Sequence, residues 1–75
     1  MDREHIESYV GKLVEVVTDI PMGEYYGIIE KIEGDTVVIS IFEPVFHRDK
    51  PTTYEKTERT MSIICDDIKR IKEIK

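Results

Sequence analysis

Few side chains in this sequence suit bond-making chemistry, and their spacing assembles no reaction centre. Cys65 is the single cysteine, which excludes an internal disulfide and a zinc site of the usual multi-cysteine kind. A nucleophilic thiol needs a base within hydrogen-bond reach. The two histidines, His5 and His47, have no spacing to Cys65 that a helix or strand would turn into proximity. Cys65 therefore reads as a small core residue at the end of an apolar run. Asp66 and Asp67 follow it, and such carboxylates commonly form turns by accepting from nearby backbone N–H groups. Adjacent residues rarely converge on one ion, so neither a metal nor another cofactor is expected. With no phosphate loop, ligand spacing or nucleophile–base pattern in 75 residues, the expectation is a protein that is not an enzyme.

Binding chemistry is better represented. Tyr25 and Tyr26 are consecutive, and on a strand consecutive side chains face opposite sides. One belongs to the core or packs on an edge; the other is left at the surface, able to stack on a base or anchor a partner. Arg48, Lys50 and Tyr54 lie among His47, Lys56 and Arg59, a set suited to phosphate contacts, although Asp49, Glu55 and Glu58 are interspersed. Lys69, Arg70, Lys72 and Lys75 form a denser basic stretch in which Glu73 is the one acid. The candidate nucleic-acid or partner contacts are thus Tyr25, Tyr26, Arg48, Lys50, Tyr54, Lys69, Arg70 and Lys72. The overall balance is acidic, with a formal charge of -5, which argues against non-specific nucleic-acid binding. Nine acids oppose three bases in residues 1–36, against seven and eight in residues 37–75. Any cationic surface belongs to the second half.

The elements that must position these residues are strands. Twelve Ile, seven Val and six Thr make a third of the chain β-branched, and such side chains favour pleated surfaces over helices. Ala, Asn, Gln and Trp do not occur, and this usage, rich in Glu, Lys and Ile, resembles that of thermophile proteins. Residues 2–10 fit a short amphipathic helix, with Ile6, Tyr9 and Val10 on one side and Gly11 as its stop. Strands are expected at residues 12–18, 25–33, 36–42, 59–64 and 68–74. Turns are expected at residues 20–23, at Gly34–Asp35 and at Cys65–Asp67. Residues 43–58, with Pro44 and Pro51, read as a long loop with room for a hairpin extension. The expected core is Leu13 or Val14, with Val16, Ile29, Ile32, Val38, Ile63, Ile68 and Ile71. Gly27 falls mid-strand, where a bend or a close backbone approach is expected. Short bent strands of this kind predict one all-β domain over residues 1–75, a small five-stranded barrel with a short N-terminal helix.

That order resembles the Sm-like fold, the small SH3-like barrel of Sm, archaeal Sm-like and bacterial Hfq proteins. Gly11-Lys12-Leu13-Val14-Glu15-Val16 after a helix is similar to the family's first strand. Tyr25-Tyr26-Gly27-Ile28-Ile29-Glu30-Lys31-Ile32 is similar to its bent, glycine-bearing second strand. Met61 to Ile71 is similar to its fourth strand, tight turn and last strand. PRC-type and KOW-type barrels share much of this pattern. The family's uridine-binding loop, of the Asp-x-x-Met-Asn type, is replaced here by Glu33-Gly34-Asp35-Thr36. Its cationic turn is replaced by Cys65-Asp66-Asp67.

The resemblance implies a non-catalytic module that binds RNA and forms a homo-oligomer by pairing the fourth strand of one copy with the fifth of the next. The alternative is a protein-interaction or assembly module without nucleic acid, since fold alone does not decide function. No apolar run approaches the ~18 residues of a membrane helix, and Met1 to His5 lacks a signal-peptide core, so a soluble cytoplasmic protein is expected.

Overall fold

The β-branched runs form strands almost throughout. The computed structural model describes residues 1–19 and 22–74. Its elements are α1 (Arg3–Glu7), β1 (Leu13–Asp19), β2 (Met22–Glu33), β3 (Thr36–Val45), β4 (Thr53–Ile64), a 3₁₀ turn (Cys65–Asp67) and β5 (Ile68–Glu73). The strands make one antiparallel sheet in the order β4-β3-β2-β1-β5. The all-β expectation holds. The outer strands β4 and β5 do not pair with each other among the described residues, so the ladder is open. No described helix is long and apolar enough to cross a membrane.

Alternation along each strand puts one face into a single core. Val14 and Val16 on β1, Ile29 on β2, and Val37, Ile39 and Ile41 on β3 are buried with Ile63, Ile68 and Ile71. Ile6 of α1 and Cys65 complete the cluster, which contains no aromatic residue among those fully buried. Val38 does not belong to it, contrary to expectation; it sits half-buried on the other face. Both alternations of β3 are largely apolar, and Ser40 marks the outer one. Val37, Ile39 and Ile41 therefore turn inward instead. Ile32 is half-buried against the core.

The helix is shorter than the expected residues 2–10. It stops because Val10 is drawn into a parallel bridge with Ile29, and Gly11, at φ 84°, turns the chain into β1. The long loop expected at residues 43–58 is mostly strand. β2 stays beside β3 only as far as the Tyr26–Phe42 pair, while β3 and β4 continue through Val45–Thr53 as a two-stranded arm. Pro44 is tolerated there because β3 has lost one neighbour. The tip is held by a 2.8 Å hydrogen bond between His47 Nε2 and Thr53 Oγ1, and Phe46 beside it is 80% exposed. The arm stretches the molecule to 41 × 22 × 21 Å with a radius of gyration of 12.3 Å. A compact chain of this length would have about 11 Å. Of the turn expected at residues 20–23, Ile20 and Pro21 lie outside the described residues; Met22 and Gly23 already belong to β2. Lys75 also lies outside them.

Two irregularities shape the sheet. Glu30 is an extra residue between the Ile29–Ile39 and Lys31–Val38 pairs, and Ser40 Oγ donates to its carboxylate at 2.7 Å. A larger shift separates the Ser40–Thr60 and Phe42–Lys56 pairs. There the Thr57 hydroxyl donates to the Ile41 carbonyl at 2.7 Å, satisfying an oxygen that the broken ladder leaves over. Such bulges bend a strand and sharpen its twist.

Gly27 lies opposite Val14 on β1 and Ile41 on β3. A Cβ here would fall onto the Ser40 carbonyl oxygen and within 2.9 Å of Ile39 Cγ2. The neighbouring atoms are backbone and fully buried core, which have little room to yield. Gly27→Ala is therefore expected to cost about 1–3 kcal/mol by overpacking. A fall in melting temperature of at least roughly 4 °C would register it, and an unchanged midpoint would contradict the close approach.

Candidate functional site

The outer face of the sheet carries the chemistry, and the hairpin register builds it. Across β1 and β2, Glu15 pairs with Tyr26 and Val17 with Glu24. Across β1 and β5, Glu15 pairs with Lys72 and Val17 with Arg70. Directly opposed residues share a face, so Tyr26, Glu15, Glu24, Lys72 and Arg70 form one surface. The arm adds Tyr54, whose ring lies 5.5 Å from that of Tyr26 at 41°. Tyr26, Tyr54, Glu15, Lys72, Glu73 and Ile74 line an open cleft of about 210 Å³.

Its polar groups are unequally occupied. Tyr26 donates its hydroxyl to Glu24 Oε1 at 2.8 Å, and that bond holds the phenol in its neutral form, pushing its pKa up to about 12. The same bond holds the Glu24 carboxyl below the usual carboxylate range, with Glu15 adding to the effect. The Glu15 carboxyl is held above that range, first by its hydrogen bond to Glu24 and then by partial burial. Glu73 lies 3.8 Å from Lys12. Arg70 and Lys72, by contrast, close no ion pair within 4.0 Å among the described residues. Both cations still face the acids, and their charge opposes the rise in the Glu15 pKa.

Of the eight candidates from the sequence, the structure brings together Tyr26, Tyr54, Arg70 and Lys72. Tyr25 turns the other way and packs half-buried against the core. It lines a second depression, of about 230 Å³, with Thr18, Met61, Ile63, Ile64 and Asp67 along the open edge of β4. Arg48 and Lys50 are exposed at the arm tip, in the stretch between β3 and β4. Lys69 sits at the register shift of β5 and approaches Asp19 at 4.0 Å. Cys65 is buried, and burial raises its thiol pKa, which suits packing better than nucleophilic chemistry. The described residues contain no group of three potential metal ligands.

Glu15 and Glu24 were not among the sequence candidates. The turn expected at residues 20–23 would set Glu15 opposite Ile28, so the observed register had to come from the structure. The β1–β2 pairing sets Glu15 opposite Tyr26, and directly opposed residues share a face. The arm's approach to Tyr26 had no sequence signal either, because it depends on the break at Ile41.

Comparison with protein-family models, with curated proteins and with solved structures gives no match. The functional reading therefore rests on the geometry.

The hydrogen bond to Glu24 is the main cause of the raised Tyr26 pKa, so its removal is directly measurable. In Glu24→Gln the acceptor is neutral, and Tyr26 should titrate nearer the ordinary phenol value of 10.0. An alkaline absorbance titration of tyrosinate in both proteins checks this; identical curves would contradict the contact.

Proposed function

We propose that this chain is a non-catalytic, Sm-like binding module that holds single-stranded RNA on the outer face of its sheet. The observation carrying this reading is the Tyr26–Tyr54 pair beside two cations, Arg70 and Lys72, that close no ion pair within 4.0 Å among the described residues. Unstacked bases bind aromatic rings through their π-faces, and neighbouring cations take the phosphates. A cationic ligand fits less well, because Glu24 already accepts from Tyr26 and because Arg70 and Lys72 already stand beside the two acids. The Sm-like reading draws support from the strand order, the helical turn before β1 and the 3₁₀ turn between β4 and β5. A cytoplasmic setting fits the single, buried and unpaired Cys65.

Two measurements test the RNA reading. Each phosphate contact on a single strand contributes about -0.7 to the slope of log affinity against log salt, so Arg70 and Lys72 together give about -1.4. Arg70→Ala should remove roughly half of that. Tyr54→Ala should weaken binding by about 1–3 kcal/mol, the usual contribution of one stacked base. A salt-independent affinity, or one indifferent to Tyr54, would reject the platform.

A second reading, self-assembly, is favoured by the open ladder. Ile64 is 52% exposed on the free edge of β4, beside the depression along that edge. Unpaired edges invite another strand. In this reading the bent sheet is a barrel whose gap is filled by a second copy, β4 of one against β5 of the next, a head-to-tail contact that closes as a ring. Light scattering should give a mass above 8.8 kDa that falls to the monomer in Ile64→Lys. A wild-type monomer at high concentration would exclude it.

A further inference from the structure

The register of the β3–β4 arm sorts its side chains by charge. Phe42 stands opposite Lys56 and Pro44 opposite Tyr54, while Glu43 stands opposite Glu55 and Val45 opposite Thr53. Directly opposed residues share a face, and consecutive ones alternate between faces. The paired segment thus has an aromatic and cationic front, bearing Phe42, Pro44, Tyr54 and Lys56, and a back that carries both of its acids, Glu43 and Glu55. The front is continuous with the cleft. Phe42 is also opposite Tyr26 on β2, and the Tyr54 ring lies 5.5 Å from that of Tyr26. Phe46 follows the last paired residue of β3 on the alternation of Phe42 and Pro44, and it is 80% exposed. Lys56 closes no ion pair within 4.0 Å among the described residues, and neither do Arg48 and Lys50, which flank Asp49 beyond Phe46.

We infer that single-stranded RNA held in the Tyr26–Tyr54 cleft continues along the front of the arm, with Lys56 taking a phosphate on the way and Phe46 stacking a further base at the tip. This inference rests on the RNA reading above and adds to it the path of the strand. Charge selects both the occupant and the face. A polyanion is drawn to the side that presents the lysine, and the carboxylates of Glu43 and Glu55 keep it from the other. Aromatic rings spaced along an extended surface stack bases without regard to sequence. From Phe42 to Phe46 the extended chain covers about 14 Å, room for a few nucleotides beyond the cleft. Phe46 is no part of the core cluster, so its ring is available to a ligand.

The test uses the full chain and all-uridine RNA oligomers of increasing length, with affinities read by fluorescence anisotropy. A trinucleotide is long enough for the cleft alone, whereas longer strands reach the tip. Affinity should therefore climb with length until the strand covers the arm, and then level off. Phe46→Ala should weaken the longest oligomer by about fivefold or more, the least expected of one stacked base, and leave the trinucleotide unchanged. Lys56→Ala should reduce the steepness of the salt dependence by about 0.7 for the long oligomer alone. Both side chains are exposed, and circular dichroism confirms the fold of each variant independently. If both variants bind the long oligomer as the unaltered chain does while Tyr54→Ala weakens it, the RNA reading stands and the path along the arm is overturned. If Phe46→Ala weakens the trinucleotide equally, the tip shapes the cleft instead of holding RNA, and the path is again overturned. If no oligomer binds, both are overturned.

Discussion

No side chain fits between β2 and β3 at position 27, and the architecture is built around that bare stretch of backbone. The Gly27 site is closed by the Ser40 carbonyl and the Ile39 side chain, so the strands approach more closely there than any larger residue would permit. A strand without a side chain at its midpoint accepts strong curvature. Curvature lets a sheet of only five strands wrap Val14, Val16, Ile29, Val37 and Ile39 to complete burial without a second layer. For 75 residues that is a demanding requirement, since small domains leave much of their surface in water.

The same bending organises the outer face. Tyr26 precedes Gly27 and points outward, and the break between Ser40 and Phe42 redirects β4 so that Tyr54 reaches it. Core and cleft are two sides of one distorted region. Ion pairing contributes little to holding it together. The four ion pairs among the described residues all join exposed side chains, which solvent screens. The hydroxyls of Ser40 and Thr57, bonded to Glu30 and to the Ile41 carbonyl, are better placed, because each sits at a point where the ladder is irregular.

Much of the fold was legible because β-branched alternation and three punctuation points carry it. Gly27, Gly34–Asp35 and Cys65–Asp67 each mark the expected bend or turn. The inward face of β3 was misread because Val38 and Phe42 are as apolar as their neighbours, leaving Ser40 as the sole discriminator. The arm was read as a loop because Pro44, Pro51 and mixed charges resemble loop composition, although Thr53 to Lys56 pair residue by residue with β3. Half of the candidate site was visible by residue type. The remainder depended on register, which converts distant positions such as Glu15, Tyr26 and Lys72 into neighbours.

The fully buried cluster consists of isoleucine, valine and one cysteine, and the sequence contains no tryptophan. Its interior is therefore nearly transparent in the near ultraviolet. The four tyrosines all sit part-way to solvent, two of them as the tilted pair at the cleft. Tyr9 and Tyr25 pack against that cluster while Tyr26 and Tyr54 form the outer pair, so tyrosine circular dichroism reports on the margin of the core and on the outer face, and the amide bands report on the sheet itself.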